Sequence, residues 1–323
     1  MDKPYVIGID VGGTNTVFGV VDARGCILES GKIKTGNYET AEAYVAVLAP
    51  ELNKLIEKAG GKEKFNGIGI GAPNGNYYQG TIEDAPNVLW AKGKIIPFAK
   101  MIGYMTGIPA VLTNDANAAA IGEMTYGIAK GMKNFIMITL GTGVGSGIVV
   151  NGQLVYGHDG FAGELGHVIV RKENGRLCGC GRKGCLEAYA SAVGVARTAR
   201  QFIEERKAKT ILTELVPDVE KITSKDVYDA AKKGDRVAID IFQYTGRLLG
   251  EAFADFVAFS SPEAIVLFGG LARSGEFILN PIKEAMDEYS LRIFKGKTKV
   301  VLSELPESDA AVLGASALAW EIK

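Results

Sequence analysis

The chain has 323 residues, 47% hydrophobic and 23% charged, and its 36 Lys and Arg nearly balance 37 Asp and Glu, for a net charge of −1. That is the composition of a globular protein of about two domains with room for a large core. It argues against a nucleic-acid binder, which usually carries a basic excess. No run of about 18 apolar residues offers a membrane span, and Asp10 cuts the opening apolar run too early for a signal segment. The expected compartment is therefore the cytoplasm, where thiols stay reduced.

In chain order, PYVIGIDV (4–11), TVFGVVD (16–22) and CILESGKI (26–33) predict three strands of a β-meander, joined by turns that carry Gly and Asp. Tyr44, Leu48, Leu52, Leu55 and Ile56 recur at helical spacing and predict a helix over 41–59. FNGIGIGAP (65–73) reads as a buried strand and 97–107 as a helix. IPAVLTNDANAAAIGEM (108–124) reads as a strand running into a helix with Asn114 or Asp115 at its N-cap. ITLGTGVGSGIVVN (138–151) then repeats IDVGGTNTVFGVVD (9–22) with one gap, and Asn151-Gly152 supplies a two-residue hairpin turn. Two related halves are expected, divided near residue 116. A small α/β domain takes 1–116 and a C-terminal helix over 308–323, and a larger α/β domain takes 117–307. Residues 190–256 look mostly helical, with Thr223 and Asp226 as a capping box. EAIVLFGGLA (263–272) is a strand into a glycine turn, and TKVVLSEL (298–305) is another strand.

Glycine turns after strands raise a nucleotide reading. A P-loop is out, because Gly296-Lys297-Thr298 has Leu291 where the first glycine belongs. A dinucleotide fingerprint fits poorly, because Gly141-x-Gly143 has Ser146 in the last place and leads into strands. What remains is a pair of hairpin turns that clasp phosphate with backbone N–H groups and a hydroxyl. One such turn alone is most simply a place where the backbone needs glycine. Two matched turns, with Asp10 at a strand end where a carboxylate suits Mg²⁺, say more.

Three of the four cysteines, Cys178, Cys180 and Cys185, fall in CGCGRKGC, and His167, one of two histidines, lies just upstream. One imidazole and three thiolates make a donor set for tetrahedral Zn²⁺. Gly179, Gly181 and Gly184 would let the chain wrap around an ion. The spacing differs from that of C-x₂-C fingers, so on spacing alone a redox pair or chance clustering stays open.

DVGGTN, TNDANAAAIGE, LGTGVGSGIV, FGGLA and DAAVLGASALA resemble the five signature segments of the sugar kinase, Hsp70 and actin superfamily. GELGH followed by CGCGRKGCLE resembles the signature of its bacterial ROK branch (repressors, open reading frames and kinases). The resemblance covers nearly the whole chain. It implies an α/β, two-domain actin-like ATPase (ribonuclease H-like) fold, with a mixed central sheet in each domain and a cleft between them that closes on sugar and excludes water. It implies structural zinc on His167, Cys178, Cys180 and Cys185, which would anchor a loop presenting Glu164, His167 and Glu187 to a sugar. Asp115 would be the base for the sugar hydroxyl, with Asn114 and Asn87 on neighbouring groups. Asp10 would act near Mg²⁺. Gly12, Gly13, Thr14, Gly141, Thr142 and Gly143 would clasp phosphate, with Gly269 and Gly270 beside the nucleoside. One departure is Asn15, where many ROK kinases have Lys.

The implied activity is ATP-dependent phosphorylation of glucose at its 6-hydroxyl. N-acetylglucosamine, N-acetylmannosamine and fructose are the alternatives, and GAPNGNYYQG (71–80) is where specificity is expected to vary, because Asn74 replaces the Gly of the commoner GAPG. ROK repressors carry a helix-turn-helix domain before the first phosphate segment. Nine residues precede Asp10 here, so a repressor is not expected. A non-catalytic sugar-binding relative is the alternative from another class, and the presence of Asp115 and both glycine turns stands against it. The resemblance also implies a homodimer, with neither nucleic acid nor membrane as partner.

Overall fold

The computed structural model describes residues 3–207 and 209–322, without the side chains of 206, 307 and 308. Met1, Asp2 and Lys323, which bound the expected small domain and its last helix, lie outside the described residues. The strands are β1 (Tyr5–Val11), β2 (Asn15–Asp22), β3 (Ile27–Lys34), β4 (Phe65–Ala72), β5 (Gly75–Asn76), β6 (Thr81–Glu83), β7 (Ile95–Ile96), β8 (Ala110–Asn114), β9 (Phe135–Leu140), β10 (Val144–Val150), β11 (Gln153–Leu154), β12 (Ala264–Phe268) and β13 (Lys299–Leu302). The α-helices are α1 (Ala41–Lys58), α2 (Phe98–Thr106), α3 (Asp115–Tyr126), α4 (Glu187–Ala190), α5 (Ala192–Arg206), α6 (Leu212–Leu215), α7 (Ser224–Lys232), α8 (Arg236–Ser260), α9 (Glu276–Tyr289) and α10 (Glu307–Ala319). Among the described residues, no helix is long and apolar enough to cross a membrane.

The chain divides into two compact units. The first holds Met1–Met132, Gly147–Gly163 and Ser303–Lys323, and the second Lys133–Ser146 and Glu164–Leu302. The first unit thus keeps α3, sixteen residues past the expected boundary at 116. The physical reason is a helix pair: a Cβ on Gly122 would lie 2.7 Å from the Cα of Gly314, so α3 and α10 meet backbone to backbone.

The sheet of the first unit has the order β3-β2-β1-β4-β8. β1–β2 and β2–β3 are antiparallel, as expected for the meander, while β1–β4 and β4–β8 are parallel. β4 explains how both faces are covered. Its Ile68 and Ile70 point into a core with Tyr44, Leu48 and Trp90, all fully buried. Its alternate residues are glycines, and this bare face admits helix backbone: a Cβ on Gly69 would lie 1.8 Å from Ala315 O, and one on Gly8 of β1 would lie 2.1 Å from Val312 O. Thr40 caps α1, accepting from Ala43 N–H at 3.2 Å. Asn74 adopts φ 51°, a left-handed backbone that Asn tolerates in place of Gly. Its amide donates to Glu83 O and Asp84 O at 3.0 Å each. A small antiparallel sheet, β5-β6-β7, follows in 75–96 and has no counterpart in the sequence reading.

The other large sheet runs β11-β10-β9-β12-β13, and the division between units falls inside β10. β12 pairs in parallel with β9 and β13. Asn151 (φ 53°) and Gly152 (φ 75°) form the expected hairpin turn between β10 and β11. Thr223 and Asp226 form a complete capping box on α7.

Candidate functional site

In the first unit, the β1–β2 turn lies at the C-terminal end of β1. The Gly12 N–H donates to Asn15 O at 3.1 Å, which closes the turn and leaves Gly13 and Thr14 as its candidate anion donors. Asn87 lies against this turn: a Cβ on Gly13 would stand 2.9 Å from Asn87 O. Asp10 pairs across to Gly71 on β4. A Cβ on Gly71 would lie 3.8 Å from Asp10 Oδ1, 3.6 Å from the Cα of Asp115 and 3.2 Å from Ala118 Cβ, so the bare glycine lets the start of α3 pack close to Asp10. The structure thus brings Asp10, Asp115, Asn87 and the first turn together. Burial pushes the Asp10 carboxyl up to about 7, and the charge of Asp115 adds to the effect. Asp115 is also raised by desolvation, opposed by the Ala116 N–H. Solvent reaches the Asp115 side chain, but protein packed around it disfavours the charge.

Asn114 is the N-cap of α3. Its Oδ1 accepts the Ala116 N–H at 2.8 Å, so its Nδ2 is the group left to face a ligand. Asp115, the first residue of the helix, accepts the same N–H through Oδ1 at 2.8 Å.

In the second unit, the β9–β10 turn is Gly141–Thr142–Gly143. Gly141 N–H donates to Gly143 O at 3.0 Å. Thr139 Oγ1 accepts from Gly145 N–H at 3.1 Å. Gly269 lies beside this turn, because a Cβ there would stand 2.6 Å from Leu140 O, and Leu271 N–H donates to the same oxygen at 3.2 Å. Just beyond Gly270 is a cavity of about 470 Å³, lined by Tyr228, Gln243, Arg273, Gly275, Phe277 and Asn280 among others.

The expected metal ligands do come together. One donor atom each from His167, Cys178, Cys180 and Cys185 lies within 4.8 Å of all the others. Cys180 and Cys185 Sγ are 3.7 Å apart, and Cys178 Sγ is 3.8 Å from His167 Nδ1. A tetrahedron built on zinc–sulfur bonds of about 2.3 Å has edges of about 3.8 Å, whereas a disulfide needs about 2.05 Å. The donor set therefore fits a tetrahedral divalent cation and not a redox bridge. Burial pushes the Cys178 thiol up to about 12, and a bound cation would favour its thiolate. Gly184 (φ 83°) is a demanding position, where a Cβ would meet Arg171 O at 1.9 Å. Gly179 meets nothing within 4 Å and needs no left-handed backbone, so wrapping does not depend on it.

His167 Nε2 faces away from the sulfurs, 3.9 Å from Glu164 Oε2. Glu187 directs Oε2 to the Val144 N–H at 2.9 Å and places Oε1 3.4 Å from Cys178 Sγ. The sequence reading missed two anchoring hydroxyls, Thr139 and Ser146, the latter accepting from Leu165 N–H at 3.0 Å. Their signal was the run of Thr and Ser around the glycines of TLGTGVGS.

Two parallel-cored sheets of matching strand order, each headed by a glycine hairpin, define the α/β fold of the actin-like ATPases and sugar kinases. The chain belongs to the ROK family, whose sequence profile matches residues 6–322. It is 35% identical over 328 residues to a glucokinase of Halalkalibacterium halodurans, covering 100% of this chain and 96% of that one. It matches a ROK family glucokinase from Streptomyces griseus, solved in complex with glucose and AMPPNP, with a TM-score of 0.80 at 34% identity, covering 98% of this chain and 99% of that one. It is also 28% identical over 321 residues to a xylose repressor of Caldicellulosiruptor bescii, covering 98% of this chain and 78% of that one.

Proposed function

We propose that this protein transfers the terminal phosphoryl group of ATP to the 6-hydroxyl of a hexose, with glucose preferred. The observation that carries the reading is the Asp10–Asp115 pair at the first glycine turn, in a chain with full-length similarity to glucokinases. Phosphoryl transfer needs positioning, charge neutralisation and a residue to take the hydroxyl proton. Asp115 is that residue, because its raised pKa brings the carboxylate closer to the basicity the step needs. Asn114 Nδ2 and Asn87 hold neighbouring hydroxyls. Glu164, His167 through Nε2, and Glu187 are further sugar contacts. Gly13, Thr14, Thr142 and Gly143 clasp phosphate, and Gly12 and Gly141 close the two turns that present them. Gly269 and Gly270 lie by the nucleoside, and the cavity lined by Tyr228, Arg273 and Phe277 takes the base.

Mg²⁺ carried with ATP beside Asp10 would neutralise phosphate charge. Zinc on His167, Cys178, Cys180 and Cys185 would be structural, because four protein ligands leave no open position. The working form is read as a cytoplasmic homodimer.

The test is ADP release with Mg-ATP and a panel of glucose, mannose, fructose, N-acetylglucosamine and N-acetylmannosamine. Strong turnover of glucose is expected. Preference for an N-acetyl sugar would keep the chemistry and overturn the substrate. Absence of turnover with every sugar would favour a sugar-binding role, the reading to which the similarity to a xylose repressor points.

A further inference from the structure

The metal tetrad and the second glycine turn are joined by side-chain and backbone ties that neither would need alone. Glu187 follows Cys185 by two residues, so its main chain moves with a metal ligand. Its Oε2 accepts the Val144 N–H at 2.9 Å, directly after the turn. Its Oε1 accepts from the Cys178 thiol at 3.4 Å, a bond that ends when that sulfur binds a cation as thiolate, so the metal's hold reaches Glu187 through the main chain from Cys185. Gly143 makes that approach possible, because a Cβ there would stand 2.5 Å from Oε2. Two more ties flank it. Ala192 N–H donates to Gly141 O at 2.8 Å, and Leu165 N–H, two residues before His167, donates to Ser146 Oγ at 3.0 Å.

The segment from His167 to Cys185 has little regular structure of its own. Its two isolated bridges are Ile169–Cys185 and Leu177–Lys183. Arg171 and Arg176 tie its outer part to Glu251, Thr198 and Gln201, while its donor side chains converge on the one donor cluster that a metal would fill.

We propose that Glu187 is a positioning residue that carries the metal's hold on the tetrad to the Gly141–Gly143 turn, so that metal occupancy sets the affinity for a nucleoside triphosphate. The nucleotide half of this inference rests on the phosphate-clasp reading of the turn, and the structural half does not. With the tetrad filled, Glu187 fixes Val144 and keeps the turn's N–H groups aimed before the anion arrives. With the tetrad empty, that fixing is lost and the anion must order the turn itself.

The test compares metal-loaded and chelated protein as wild type, Glu187→Ala and Glu187→Gln. Two quantities are read: amide exchange over residues 141–145, and Mg-ATP affinity by calorimetry without sugar. Chelating the wild type should speed exchange at Val144 and weaken Mg-ATP by about tenfold, the equivalent of about 1.4 kcal/mol needed to order the turn. Glu187→Ala should show fast exchange and weak binding already when loaded, with little further change on chelation. Glu187→Gln keeps an acceptor for the Val144 N–H and should retain most of the affinity. Unchanged exchange and affinity in chelated wild type would overturn the proposal, as would an equal fall in Glu187→Ala on chelation. If loaded wild type binds no nucleotide yet its turn still loosens on chelation, the mechanical link stands and the nucleotide half fails with the kinase reading.

Discussion

The two sheets have one topology and hold their glycine hairpins by different means. Strands β1, β2, β3, β4 and β8 occupy the same order as β9, β10, β11, β12 and β13. Asp10 then falls where Thr139 falls. In the first sheet that position carries a carboxylate opposite bare Gly71, and burial disfavours its charge. In the second it carries a hydroxyl that ties down Gly145, opposite Phe268. The first turn is backed by the main chain of Asn87 and the second by the carboxylate of Glu187. The frame is kept, and the strand ends differ: one hairpin hosts a carboxylate whose charge burial disfavours, and the other is braced.

The largest expected effect tests the charged end. Asp115→Asn should lower kcat by about 10²–10⁴, the usual share of a general base, with KM changed only a few-fold. Steady-state assays decide this, and a kcat within a few-fold of wild type would remove Asp115 from the proton's path.

Next comes the braced end. Chelation, or Cys178→Ser, should lower Tm by on the order of 10 °C, because a structural metal contributes directly to folding. Calorimetric scans would show it, and an unchanged Tm would mean that the tetrad is not a metal anchor.

The third effect separates the two ends by pH. The Asp10 carboxyl rises from about 3.8 to about 7 on folding. The folded state therefore holds this proton more tightly. The stabilisation is complete below the unfolded value and is lost as pH rises through about 7. Ligand-free wild type should lose Tm between about pH 4 and 7 and level off above that. Asp10→Asn should flatten that slope and raise Tm at pH 8 by several degrees while lowering activity. Thr139→Val should leave the slope as it is. If Asp10→Asn and wild type have parallel profiles, the buried charge is not the cost described.

Hairpin packing gives the smallest effect. Gly13→Ala meets the main chain of Asn87 at 2.9 Å, whereas Gly143→Ala meets the movable end of Glu187 at 2.5 Å. The first should cost about 1–3 kcal/mol and the second less, read by denaturant unfolding. The reverse order would show that Glu187 cannot swing away.

Much of this was legible because it is local. The meander is written in β-branched runs between Gly and Asp, the α7 capping box spans four residues, and the Cys cluster spans eight. The rest depends on partners far along the chain. Strands of two or three residues, such as β5–β7, are too short to carry a period. The placement of α3 rests on Gly122 meeting Gly314. The hold of Glu187 on Val144 spans 43 positions and involves a carboxylate that reads, in sequence, only as a ligand for sugar. The raised pKa of Asp10 comes from burial that no single residue type announces.

The glycine face of β1 and β4 has a consequence for how the protein is made. The first strands leave the ribosome early, but the helix that covers Gly8 and Gly69 is encoded at 307–319. Until then the nascent chain exposes one face of its first sheet, bordered by Val6 and Val21, whose packing partners Val312 and Leu313 have not been synthesised. Slowed translation of the last third would prolong that exposure and invite aggregation. A holding chaperone would bind best to chains stalled before 307.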